Sequence, residues 1–214
     1  MKDVPMVNAV PRIGSGDRFI GLDLAALPRN PTGACFCDGV RFEPRTLYSD
    51  EDILRYVRDR RPRFVAIDAP LTLPRGRCCW DDSCCGPRKI RECDRMLIRR
   101  GHRVFPPGFS FMKELTLRGK GLKAELAGFE VIEVHPRTTM RILGSREFPA
   151  ARTEHERDAC YCALTAFLYA RGKCEVLGDD EGAVVIPRAP ESKEQSTPST
   201  RRPQSTQRSF KKSY

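Results

Sequence analysis

The chain reads as an α/β domain built on a mixed sheet with flanking helices, and three observations carry that expectation. Arg18 to Ala26 (RFIGLDLAA) and Arg63 to Ala69 (RFVAIDA) are nearly uniform apolar runs, each interrupted by one aspartate. Runs of this kind suit strands covered on both faces. A helical segment lies between them, and a strand-helix-strand order implies parallel pairing with a right-handed crossover. Thr32 to Asp38 and Val40 to Tyr48, joined by Asp38-Gly39, carry hairpin chemistry and add antiparallel neighbours.

The remaining elements follow in order. Pro28-Arg29-Asn30-Pro31 is a turn. Ser49, followed by Asp50, Glu51 and Asp52, is a helix start, because its hydroxyl caps a free N–H and early acids favour the dipole. That helix carries Ile53, Leu54 and Val57 to about Arg61-Pro62. Residues 70 to 92, with Pro, Gly and four Cys, form an inserted loop or lid. A basic helix is expected over about Lys89 to Arg100 and a second over about Phe111 to Ala127. Phe129 to His135 is a strand that Pro136 ends, with a short helix over Thr138 to Leu143. Thr153 and Glu156 have capping-box spacing at the start of a long helix whose Ala159, Ala163, Ala166 and Ala170 permit close approach to the sheet. Cys174 to Leu177 and Ala183 to Ile186 close the domain as a strand pair. The expected organisation is a leader (1–17), one domain (18–188) and a basic, disordered tail (189–214) too polar to offset the entropy of ordering.

Hydrophobic residues make up 40% of the 214, enough for a core, at a mean hydropathy of -0.48. No stretch approaches the roughly 20 apolar residues of a membrane span, and no signal-peptide block opens the chain. The expectation is a cytoplasmic protein with no membrane partner. The net charge of +10 is uneven: residues 88–123 hold about +8 and the tail about +4. A solvated helix face accounts for such a segment, and so does a footprint for a phosphate backbone. On the second reading Arg95, Arg99, Arg100, Arg103, Lys113, Arg118, Lys120 and Lys123 contact nucleic acid. Trp80, Phe105, Phe109 and Phe111 lie among these cations, where aromatics either stack bases or fill the core.

Acids interrupt three strands: Asp23, Asp68 and Glu133. A buried carboxylate is costly unless paired or metal-bound, and ligands gather at the carboxyl ends of strands in open α/β sheets. Asp158 adds an acid on the alanine-faced helix, and His155 shares its helical face. Clustered carboxylates suit Mg²⁺ or Mn²⁺, the ions of two-metal phosphodiester cleavage. The competing reading makes each acid structural, and Glu133 fits a salt bridge to a nearby arginine. Cys78, Cys79, Cys84, Cys85 and Cys93 fall within one short segment and are candidate ligands for a structural Zn²⁺, against free thiols on the lid. Cys35, Cys37, Cys160, Cys162 and Cys174 fit buried small hydrophobes.

The motifs GLDLA (21–25), AIDAPLTLP (66–74), RECDRMLIRRG (91–101), FPPGFSFM (105–112), VIEVHP (131–136), HERDACYCALTA (155–166) and LGDDEGAVVIP (177–187) occur in this order. Together they resemble domain-of-unknown-function family 429, described as predicted ribonuclease-H-like nucleases. The resemblance covers about Arg18 to Pro187 and implies a ribonuclease-H-like core. It also implies that Asp23 matches the first-strand acid, Asp68 the fourth-strand acid and Asp158 the acid of the last helix, with HERDA similar to the His-x-x-Asp-Ala of Holliday-junction resolvases. The leading expectation is a metal-dependent nuclease in which Asp23, Asp68, Glu133, Asp158 and His155 do the chemistry. A non-catalytic nucleic-acid or nucleotide-binding module is the first alternative. An actin-like or sugar-kinase-like ATPase is the second, with Pro31-Thr32-Gly33 standing in for a phosphate turn.

Overall fold

A computed structural model describes residues 17–190. The expected leader and tail lie outside that range except for Asp17, Ala189 and Pro190. Seven strands form one mixed sheet in the order β3-β2-β1-β4-β5-β7-β6. They are β1 (Phe19–Asp23), β2 (Thr32–Cys37), β3 (Phe42–Leu47), β4 (Phe64–Asp68), β5 (Glu130–Val134), β6 (Cys174–Asp179) and β7 (Gly182–Pro187). β1, β4, β5 and β7 run parallel, whereas β2 is antiparallel to β1 and β3, and β6 to β7. This is the mixed α/β sheet with flanking helices that the sequence leads one to expect, with the Cys-rich loop inserted after β4.

The helices are α1 (Asp50–Arg60), α2 (Asp82–Cys85), α3 (Glu92–Arg99), α4 (Lys113–Glu125), α5 (Pro136–Leu143) and α6 (Glu154–Ala170). Ser49 caps α1 by accepting from the Asp52 amide at 3.1 Å. Thr153 caps α6 by accepting from the Glu156 amide at 3.1 Å, but the box is half formed. The Glu156 carboxylate instead accepts from the Arg152 amide and the Thr46 hydroxyl, which ties α6 to β3. The lid is less open than a loop, since Asp81 caps the short α2 within it.

Side-chain alternation sorts the strands onto two faces. Phe19, Phe64 and Ala66 pack with Ala159, Ala163, Ala166 and Ala170 of α6, as do Cys35, Cys160 and Cys162. Ile20, Leu22, Val65 and Ile67 face the other way, against Ile53 and Val57 of α1 and Leu122 and Leu126 of α4. A smaller core joins Cys93 and Leu97 of α3 to Leu177, Val184 and Ile186.

Two glycines set how closely α6 lies on the sheet. A Cβ on Gly21 would come 2.1 Å from the Ala159 carbonyl oxygen, and one on Gly33 would come 1.9 Å from that of His155. Gly33 is the β2 partner of Asp23. The first turns of α6 therefore rest on backbone at the end of β1, and no larger residue permits this approach.

Candidate functional site

Asp23 and Asp68 are the last residues of β1 and β4 and stand opposite each other in the parallel register. By alternation both follow Phe19, Gly21, Phe64 and Ala66 onto the α6 face. α6 then delivers His155 and Asp158. His155 Nδ1 lies 2.7 Å from Asp23 Oδ2, which fixes the imidazole ring over the end of β1. No hydrogen bond or ion pair reaches the Asp68 carboxylate among the described residues.

The three aspartates feel one another. Burial pushes the Asp68 carboxyl well above its usual range, and Asp23 and Asp158 push it further, while Arg137 opposes them. Burial and the Asp23 charge raise Asp158 to about 6. Burial raises Asp23 too, against the hydrogen bond and charge of His155 and the charge of Arg137. The buried Cys162 feels the same charges: burial lifts its thiol, and Asp68, Asp23 and Asp158 lift it again. Arg157, 3.9 Å from Asp158, opposes the rise there, so the carboxylate that meets no direct partner is Asp68, and crowded acids of this kind suit a hard divalent cation. Among the described residues, no three carboxylate or histidine ligand atoms lie within 4.8 Å of one another.

Glu133 does not join them, which corrects the expectation from sequence. It follows Val131 onto the opposite face, while Ile132 and Val134 face α6. There both its oxygens accept from the buried Arg91 guanidinium, at 2.7 and 2.8 Å, and one accepts from the Leu71 amide at 2.8 Å. Arg91 also binds Asp94 and the Thr72 hydroxyl. The sequence reading missed Arg91, which fastens the lid to the sheet. Removing one member of a buried pair leaves an unpaired charge, at a cost of about 3–5 kcal/mol.

The basic segment is not one surface. Arg118 is buried and donates to Asp50, the Ala25 carbonyl and the Tyr48 carbonyl, so its expected nucleic-acid role is corrected to a structural one. Arg95 and Arg99 pair with Glu92, and Arg100 pairs with Glu175 at 2.6 Å. Arg103, Lys113, Lys120 and Lys123 form no ion pair among the described residues. Phe105, Phe109 and Phe111 are exposed and pack edge to face, with centroids 5.2 and 5.9 Å apart. They are a surface patch and not core. Thr32, part of the weak phosphate-turn candidate, is buried and accepts from the Ala25 amide at 3.1 Å.

Cys78, Cys79, Cys84 and Cys85 bring their sulfurs within 4.8 Å of one another, a group that could hold a metal ion. Hydrogen bonding from Cys78 lowers the Cys85 thiol to about 6, favouring thiolate at neutral pH. Cys93 is excluded from this group, a third correction: it is buried with Leu97, Leu177 and Ile186 and behaves as a small hydrophobe. Cys35, Cys37, Cys160, Cys162 and Cys174 are buried, as the pattern implies. No helix among the described residues is long and apolar enough to cross a membrane.

No model of a known protein family matches the chain, and no curated protein matches it. The resemblance to domain-of-unknown-function family 429 thus rests on its motifs. Among solved structures, the chain is similar to a RuvC structure from Thermus thermophilus at 14% identity and a TM-score of 0.39, covering 72% of this chain and 96% of that one.

The raised aspartates give the metal-free protein a signed pH dependence. With Asp158 raised from 3.8 to about 6, the folded state binds this proton more tightly than the unfolded state does. The resulting stability is complete below the unfolded value and is lost as pH rises through the folded one. In EDTA, Asp158→Asn is expected to match wild type near pH 4 and to exceed it by on the order of 2 kcal/mol near pH 8. Urea denaturation at both pH values reads the difference, and an equal effect at both contradicts the shift.

Proposed function

We propose that the chain is a metal-dependent phosphodiesterase acting on nucleic acid, with Asp23, Asp68 and Asp158 holding Mg²⁺ or Mn²⁺. The observation that carries this reading is the pairing of two strand-end aspartates on one face beneath a helix that adds a third. Their negative charge meets no direct cationic partner at Asp68. A structural role for Asp68 would leave it paired, as Glu133 is with Arg91, Asp23 with His155 and Asp158 with Arg157 at 3.9 Å. Bound there, the ions would supply water activation and charge stabilisation of the leaving oxygen.

The protein groups around the carboxylates have separate tasks. His155, oriented by Asp23, presents its other ring nitrogen for proton transfer. Arg137 places positive charge beside all three aspartates. Arg103, Lys113, Lys120 and Lys123 attract the backbone, and the exposed phenylalanines offer faces for unpaired bases.

A nuclease screen with Mg²⁺ and Mn²⁺ over single- and double-stranded DNA, RNA, hybrid and branched substrates tests this reading. Cleavage is expected with at least one substrate, and Asp23→Asn or Asp68→Asn should lower its rate by at least about 100-fold. Binding without cleavage of any substrate would assign the fold to a recognition module instead.

The lid is read as a separate, structural zinc site. Four ligands about 2.3 Å from a tetrahedral centre stand about 3.8 Å apart. The pairs Cys78–Cys84, Cys78–Cys85 and Cys79–Cys85 are separated by 3.6, 3.0 and 3.7 Å. Protein purified without chelator should carry about one zinc per chain, and Cys84→Ser should lower that content. Metal-free protein whose four lid thiols label rapidly would reject the site.

A further inference from the structure

The C-terminal edge of the sheet carries a second feature beside the carboxylates. β5 ends next to β4, and the chain passes through His135 into α5, so Arg137 stands in the first turn of that helix. Beyond it the Gly101–Arg103 turn and α5 enclose a cavity of about 290 Å³. Its walls are His102, Arg103, His135, Arg137, Thr138 and Arg141, and no carboxylate lines it.

Three guanidinium groups around one small cavity repel one another unless an anion separates them. Arg103 and Arg137 form no ion pair among the described residues, and Arg141 donates to the Gly101 carbonyl. The first turn of α5 adds its positive dipole end. His102 contributes a third kind of donor or acceptor, because its buried Nδ1 meets no protein partner. His135 is less free: its Nδ1 bonds the Thr138 hydroxyl at 2.8 Å and caps α5. Guanidinium forks match the oxygens of a tetrahedral oxyanion better than a point charge does. The volume lies at the small end of ligand pockets, roughly 300–1,000 Å³, which suits a phosphate with adjoining sugar atoms and not a whole dinucleotide.

We propose that this cavity is a phosphate subsite, and, resting on the reading of the carboxylates as a phosphodiesterase centre, that it takes a phosphate of the same nucleic-acid strand next to the one attacked. Arg137 joins the two places, since it faces the aspartates electrostatically while lining the cavity. On the far side Arg103 leads within two residues to Phe105 and the exposed aromatic patch. A strand laid from the aspartates past Arg137 meets a phosphate-sized basic recess and then flat apolar rings, the order in which a nucleotide presents phosphate and base. Phosphate chemistry is common to a terminal monoester and an internal diester, and the two are separable by experiment.

The chain has three histidines, two in the cavity wall and His155 at the carboxylates, so their ring-proton NMR signals report the two places separately. Full-length protein in EDTA at fixed pH and ionic strength is titrated with inorganic phosphate, methyl phosphate and dimethyl phosphate. The His102 and His135 signals are expected to shift together and saturate in the millimolar range, with His155 unmoved. Arg103→Gln and Arg137→Gln should each weaken binding by about tenfold or more, as for loss of a charged hydrogen bond. Arg55→Gln, which removes an exposed charge from α1, should change it less than about twofold. Saturation by dimethyl phosphate identifies an internal phosphodiester, and saturation by the monoesters alone identifies a strand terminus; both support the subsite. Absence of saturation up to about 50 mM ligand, or equal weakening by Arg55→Gln, overturns it. Because no metal or turnover enters this measurement, its outcome is independent of whether the carboxylates support cleavage.

Discussion

The close approach of α6 to the ends of β1 and β2 is the contact on which the candidate site depends. It exists because Gly21 and Gly33 have no Cβ: Gly21 lies against the backbone of Ala159 and Ala163, and Gly33 against that of His155 and Glu156. At this spacing His155 reaches Asp23, and Asp158 enters the field of the two strand-end aspartates. One added methyl group at Gly33 would collide with helix backbone, which has no rotamer to move to. The site is therefore held by backbone packing across a sheet face, with the His155–Asp23 hydrogen bond adding to it.

That rigidity has an electrostatic consequence. The three aspartates are kept together although they repel and are partly desolvated, with Arg137, His155 and Arg157 opposing. Glu133, one strand over and on the other face, shows what the fold does with an acid that is structural. It meets Arg91 in a fully bonded network that also secures the lid. The same sheet thus treats its acids in two ways, separated by alternation along the strands. Basic charge is divided likewise. Arg91 and Arg118 are consumed in fastening loops and helices, while Arg103 and Arg137 remain at the edge where ligands gather.

Much of this is legible in sequence, for identifiable reasons. The strands β1 and β4 announce themselves because apolar runs around a single acid are rare on a surface, and Ser49 and Thr153 mark helix starts by local chemistry. Glu133 looks like its neighbours Asp23 and Asp68 in composition. Its face follows only from the register of β5 against β4, which a single strand does not encode. Arg118 resembles any lysine or arginine in a basic helix until α4 is docked against Ala25 and Tyr48. Cys93 belongs to the same cysteine-rich stretch as Cys78 to Cys85, but its helical spacing from Leu97 was the available signal that it faces a core. Gly21 and Gly33 carry no chemistry of their own, so their part appears only with α6 in place. The basic cavity draws on a turn after α3 and on the start of α5, and no linear motif joins them.

The function of the site turns on whether the negative charge of Asp23, Asp68 and Asp158 is held ready for a cation. The most direct measurement is the melting temperature of wild type and of Asp68→Asn, each with EDTA and with Mn²⁺ or Mg²⁺. Substitution by Asn keeps the shape and removes one charge. Wild type is expected to gain several degrees on adding the ion, the variant to gain little, and in EDTA the variant to melt no lower than wild type. A wild type indifferent to both ions, together with a variant that is destabilised in EDTA, would contradict this expectation and return these aspartates to an ordinary structural role.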